Sequence, residues 1–227
     1  ANPVSVEEEL QRVLPVIRAV KKQLSVQVSI DTSKPEVMEA AVTAGASMIN
    51  DVYALRRPGA LEMAVRLNVP VCLMHMQGTP PNMQTAPAYT DVVREVSHFL
   101  SSRVRAGEAA GIARRHLMID PGFGFGKTFQ HNVQLLRGLS GLAAVGTPIV
   151  VGVSRKAFVR RLASVEQEDD DQTAQVSAGL ALYAVSQGAA VLRVHDVALT
   201  RNLVRTWEVM ASQPLDDGNA QLSEDLC

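Results

Sequence analysis

Six short apolar runs in this chain each end on a side chain able to donate, accept or carry charge. Val26–Ile30 ends at Asp31, Ser47–Ile49 at Asn50 and Asp51, and Val69–Met74 at His75. Leu117–Ile119 ends at Asp120, Ile149–Val153 at Ser154, and Val191–Val194 at His195. Side chains alternate along a strand, so Gln27, Ser29 and Asp31 share one face and Val26, Val28 and Ile30 the other. By the same parity Met48 goes with Asn50, Cys72 with Met74, Met118 with Asp120, Gly152 with Ser154, and Arg193 with His195. With the aliphatic faces against helices, the remaining side chains converge on one interior mouth, where α/β barrels place their chemistry.

The stretch Asp120–Thr128 comes close to a phosphate-binding loop, G-x-x-x-x-G-K-[ST], but Pro121 stands where that pattern requires glycine. Its alternating glycines predict close backbone approach to something flat or anionic. Asp120 at a strand end can accept two hydrogen bonds from a guanidine-like edge of a heterocycle. Arg193 and His195 on one face can grip an anion, the first as a fork and the second as a donor. The competing arrangement pairs Arg193 with Asp196. Lys156 reads as a donor reaching over the mouth rather than a Schiff-base nucleophile, with Arg155 outward. Thr32 or Ser33 is expected to cap the helix after Asp31, while Asn50 and Asp51 can each order local backbone. His75 points away from the mouth by parity and reads as a packed, hydrogen-bonded histidine. Compact Cys/His spacing for zinc is lacking. Gln77–Ala88 holds Gly78, Pro80, Pro81 and Pro87, the composition of a long loop. Glu166, Glu168 and Asp169–Asp171 make an acidic run that reads as a solvated connection.

The elements that must position these groups are strands alternating with helices. Ser5 with Glu8 announces a first helix as a capping box, with Pro15 inside it. Further helices are predicted over residues 34–43, 59–67, 90–110, 130–139, 156–163, 174–187 and 200–210. Strands separated in this way pair in parallel through right-handed crossovers. The chain of 227 residues contains no proline- or glycine-rich linker, so residues 1–227 read as a single domain. Lys plus Arg at 22 nearly cancels Asp plus Glu at 23, which gives no reason to expect nucleic acid as a partner. Two cysteines, Cys72 and Cys227, do not make a disulfide scaffold and suit a reduced cytoplasmic protein. The apolar runs are too short for a membrane helix, and the first residues do not read as a signal peptide.

VCLMHMQ at Val71–Gln77 and DPGFGFGK at Asp120–Lys127 resemble the dihydropteroate synthase family. IDTSKPEV at Ile30–Val37, IND at Ile49–Asp51, SRK at Ser154–Lys156 and RVHD at Arg193–Asp196 follow in that family's order. The resemblance implies a TIM-type (β/α)8 barrel of which six strands are evident. It also implies condensation of 6-hydroxymethyl-7,8-dihydropterin diphosphate with p-aminobenzoate, releasing pyrophosphate in folate biosynthesis. Magnesium is the implied cofactor, a homodimer the implied assembly and sulfonamides the implied competitors. Asp31, Asn50, Met74, Asp120 and Lys156 are implied for the pterin, with Asp31 and Lys156 the catalytic pair. Gly124, Phe125, Ser154 and Lys156 are implied for p-aminobenzoate, and Arg193 and His195 for the diphosphate.

The family also carries NVTPDSF and STRPG loops on two earlier strands, and neither is in this sequence. The first is the expected source of the magnesium ligand, so no metal residue is identifiable in this chain. The reading is therefore of a barrel lacking its first two β/α units, either an incomplete sequence or a shortened protein, with weak activity expected for this span alone. The alternatives are a pterin-binding methyltransferase-type domain and a non-catalytic pterin-binding remnant.

Overall fold

The structure, a computed structural model, describes residues 4–163 and 170–212. Cys227 and three members of the acidic run, Glu166, Glu168 and Asp169, lie outside the described residues. Helix α1 (Val6–Gln23) begins where the Ser5 hydroxyl accepts the amide of Glu8 at 3.1 Å. The Glu8 carboxylate pairs with Arg12 rather than returning to the cap, so Ser5 caps alone.

Strands and helices then alternate. They run β1 (Ser29–Asp31), α2 (Pro35–Thr43), β2 (Met48–Asp51), α3 (Ala60–Leu67), β3 (Val71–Met74), α4 (Val92–Ala110) and β4 (Leu117–Asp120). The second half is α5 (Phe129–Arg137), β5 (Ile149–Val151), α6 (Ala157–Leu162), α7 (Asp170–Ser186), β6 (Ala189–Leu192) and α8 (Val197–Ala211). The six strands form one sheet in sequential order, every neighbour parallel. This is the winding of a (β/α)8 barrel over six of its strands, and the sheet is open between β1 and β6.

Parity assigns the two faces correctly. Ile49, Val71, Leu73, Leu117 and Ile119 are fully buried in one hydrophobic cluster with Met38 of α2, Ala64 of α3, Leu100 of α4 and Leu135 of α5. Burying such side chains contributes about 1.5–3 kcal/mol each, which ties the helix layer to the sheet. The opposite parity carries the polar set, and the register holds it level. Asp31 lies beside Asn50, and Met74 beside Asp120.

Three local expectations are corrected. The N-cap of α2 is Lys34, with no side-chain bond, rather than Thr32 or Ser33. Pro35 at the start of the helix has no N–H to satisfy, and the two hydroxyls turn elsewhere, Thr32 to Glu9 and Ser33 to Asp51. Asp170 and Asp171 form the first turn of α7 rather than a connection, placed where acidic side chains favour the helix dipole. The first run becomes a strand only from Ser29, because β1 pairs on one side alone. Among the described residues no helix is long and apolar enough to cross a membrane.

Candidate functional site

Asp31 and Asp120 end β1 and β4, Asn50 is the last residue but one of β2, Arg193 follows β6 directly, and Ser154 and His195 lie in the loops just past β5 and β6. Their shared position at the carboxyl ends of parallel strands brings residues far apart in sequence to one mouth. Asn50 Nδ2 donates to Asp31 Oδ2 at 2.9 Å. The Arg193 guanidinium reaches from the far side of the sheet, 3.1 Å from Asp31 Oδ2 and 3.2 Å from Asp120 Oδ2. Asp120 is 1% exposed, and its other oxygen accepts the amide of Gly122 at 2.7 Å. Burial raises the Asp31 carboxyl above its ordinary value, with Arg193 and the Asn50 bond opposing that shift.

The competing pairing of Arg193 with Asp196 does not occur. Arg155 takes that carboxylate instead, at 3.0 and 3.3 Å, from a backbone in the left-handed region (φ 57°). Arg193 is thereby left to the interior. His195 is exposed, and its Nδ1 lies 2.9 Å from the buried Ser154 hydroxyl.

Lys156 turns over the mouth as expected. Its ammonium bonds the Phe123 carbonyl and sits 4.8 Å from the centre of the Phe125 ring. Burial pushes its pKa down to about 8, with Asp120 and Asp31 opposing and Arg193 assisting. A carbonyl and an aromatic face both favour the charged amine, which suits a donor better than a nucleophile.

Three adjoining cavities follow. One of about 430 Å³ lies in the sheet interior against Asp31, Asn50 and Arg193. One of about 300 Å³ is bounded by Phe125, Ser154, Lys156, Arg193 and His195. The third, about 530 Å³, lies beyond Lys156 against Gly124, Phe125 and Phe158. Arg193 borders the first two and Lys156 the last two, so these side chains are the partitions between compartments. Met74 is fully buried at the end of β3 and lines none of the three.

Two glycines of the loop after β4 let backbone meet backbone within the fold. At Gly122 an added Cβ would lie 1.8 Å from the His75 carbonyl, and at Gly126 2.4 Å from that of Gln77. Both have positive φ, 69° and 62°. At these two positions the close approach is to the loop after β3, while Gly124 between them borders the third cavity. His75 points away from the mouth as expected, is 6% exposed and packs edge-on to Phe99. The partner sequence reasoning missed is Lys127, 3% exposed, whose Nζ is 2.9 Å from His75 Nδ1. Burial lowers the Lys127 ammonium to about 7, opposed by Asp120, and lowers His75 to about 3.

Among the described residues no group of three or more His, Cys, Asp or Glu side chains could hold a metal ion. The two carboxylates at the mouth, Asp31 and Asp120, are spanned by Arg193. Both are therefore occupied by a cation of the protein's own.

The family of pterin binding enzymes matches residues 1–195. The curated dihydropteroate synthase of Haemophilus influenzae is 45% identical over 212 residues, covering 93% of this chain and 76% of that protein. A structure of the Xanthomonas albilineans dihydropteroate synthase in complex with 7,8-dihydropteroate superposes with a TM-score of 0.87 at 49% identity, covering 93% of this chain and 77% of that one. Another of the same enzyme with 4-aminobenzoic acid gives 0.88 at 50% identity, covering 94% and 76%. With this level of identity over nearly its whole length, the chain belongs to the dihydropteroate synthases, transferases of the pterin-binding enzyme family.

Proposed function

We propose that this chain forms 7,8-dihydropteroate from 6-hydroxymethyl-7,8-dihydropterin diphosphate and p-aminobenzoate, releasing pyrophosphate. The observation that carries the reading is the Arg193 guanidinium held between Asp31 and Asp120. A pterin presents a similar planar donor edge, so the carboxylates that grip Arg193 have the geometry to grip the ring. Asn50 would complete that recognition beside Asp31. Entry of the ring displaces Arg193 toward His195, where fork and imidazole meet the diphosphate.

The carbon–oxygen bond to the diphosphate then breaks, pyrophosphate leaving with the electron pair. The amine lone pair of p-aminobenzoate forms the new carbon–nitrogen bond, and the amine loses a proton. The charge separating in that step is what the site must stabilise, by carboxylates near the pterin and cations near the leaving group. Phe125, Gly124, Ser154 and Lys156 hold the aminobenzoate in line, which lowers the barrier by positioning. Magnesium would arrive with the diphosphate, whose oxygens and bound water commonly supply most of its ligands. The same reading includes a homodimer, for which α7 and α8 offer the exposed Tyr183, Val209 and Met210.

A second reading, pterin binding without turnover, is served by the same Asp31 and Asp120 carboxylates, which can grip a ring whether or not it carries a leaving group. Calorimetric titration with pterin diphosphate, paired with a product assay containing p-aminobenzoate and magnesium, separates the two. Binding with product supports the synthase, and binding without product supports the second reading. Absence of pterin binding overturns both.

A further inference from the structure

On the aminobenzoate side of the site, taken as proposed above, a second lysine, Lys127, borders the cavity of about 530 Å³ beside Gly124, Phe125 and Lys156. The five backbone carbonyls from Gly122 to Gly126 each accept a bond from a side chain. Lys127 Nζ donates to Gly122 at 2.9 Å and to Phe125 at 3.1 Å. Lys156 donates to Phe123, Gln84 to Gly124, and the Tyr89 hydroxyl to Gly126 at 2.8 Å. The amides of Gly122 and Gly124 are held too, by Asp120 and by Asn132 at 2.7 Å each.

Lys127 is the member that binds this loop twice. An ammonium has three donors and no acceptor. Here the three meet His75 Nδ1, the Gly122 carbonyl and the Phe125 carbonyl, leaving none for a ligand. His75 belongs to the loop after β3, so the lysine also ties the two loops together across the contact that Gly122 and Gly126 make possible. The segment so fixed carries both groups that place Lys156, the Phe123 carbonyl and the Phe125 ring.

We propose that Lys127 is a positioning residue for the second substrate: by fixing the backbone from Gly122 to Phe125, it sets the placement of Lys156 and Phe125 at the aminobenzoate site. Its loss leaves the carboxylates of the pterin side in place and slackens only the wall that receives the aminobenzoate.

The test is steady-state kinetics of Lys127→Met with p-aminobenzoate varied, beside calorimetric titration with pterin diphosphate. The expected result is a KM for p-aminobenzoate raised about tenfold, kcat within about threefold, and pterin affinity within twofold of the parent. A merely structural lysine would lower thermal stability and the active fraction, and so kcat, with KM unmoved; that result overturns the assignment. Tyr89→Phe removes the Gly126 tie while keeping the ring, and should raise the same KM two- to threefold. Where Lys127→Met does not fold, an unchanged KM in Tyr89→Phe overturns the proposal by itself. A parent protein that binds pterin but makes no product refutes the synthase reading instead, which keeps the two failures apart.

Discussion

Arg193 and Asp120 stand 73 residues apart in the chain, yet guanidinium and carboxylate lie 3.2 Å apart at the mouth of the sheet. Asp120 is buried on the sheet side of this pair while Arg193 is 42% exposed at its side chain, so the arginine is the partner able to leave. A buried carboxylate stripped of its partner costs several kcal/mol unless another cation or donor replaces it. A ligand edge able to take over those hydrogen bonds can therefore exchange with Arg193 at little net cost.

Removing the arginine should separate the two halves of the substrate. Arg193→Met is expected to bind an unphosphorylated pterin at least as tightly as the parent, because the competing guanidinium is gone. The diphosphate ester should bind about 10- to 100-fold more weakly, as loss of a charge-assisted bond of about 1.5–3 kcal/mol implies. Parallel titrations with the two ligands decide the point. Equal weakening of both would place Arg193 on the ring rather than the diphosphate.

Asp120→Asn makes the complementary prediction. The amide oxygen can still accept from Gly122, so the loop start survives, while the charge that faces a guanidine-like edge is lost. Pterin affinity should fall about 10- to 100-fold with the unfolding midpoint little changed. Unaltered pterin affinity in a folded variant would remove Asp120 from the ring site.

Much of this site was legible because strand parity is a strict rule. Asp31, Asn50, Asp120 and Arg193 each fall on the interior side once the aliphatic residues Ile30, Ile49, Ile119 and Leu192 are given to the helices. What parity cannot read is choice among partners once the strand has ended. Arg193 lies three residues from Asp196, yet that carboxylate goes to Arg155, through a left-handed backbone no spacing rule announces. Lys127 was hidden for a related reason. Locally it completes an imperfect phosphate-loop pattern, and only the meeting with His75, 52 residues away, shows it to be buried. The signal available was an outward-pointing histidine that needed a donor.

Lys156 gives the site an alkaline limit. Its folded pKa is lowered from an ordinary value of 10.5 to about 8, chiefly by burial. Catalysis that uses the ammonium should fall as pH rises through about 8, and Lys156→Gln should lose most activity together with that limb. Stability moves oppositely. Between about 8 and 10.5 the unfolded chain holds the proton more often than the folded one, so this group's burial penalty is relieved as pH rises. A rate that stays flat from pH 7 to 10 would show that the lysine's charge is not used.

The loop contact itself can be tested through two glycines of like conformation and unlike surroundings. Gly188 has φ 96° with nothing within 4 Å of an added Cβ, so Gly188→Ala meets only backbone strain, about 1–3 kcal/mol. Gly122 has φ 69°, and its Cβ would lie 1.8 Å from the His75 carbonyl, backbone that cannot move aside as a side-chain tip can. Gly122→Ala should therefore cost strain plus separation of the two loops, on the order of 4 kcal/mol or more, a loss that marks disruption of tight packing. Each kcal/mol shifts the melting temperature of a domain this size by roughly 2–4 °C, so the difference is well within a calorimetric measurement. Separation of the loops should also break the Lys127–His75 contact, adding a rise in the KM for p-aminobenzoate that Gly188→Ala does not share. Equal destabilisation by the two substitutions would mean that the loops after β3 and β4 do not press together at Gly122.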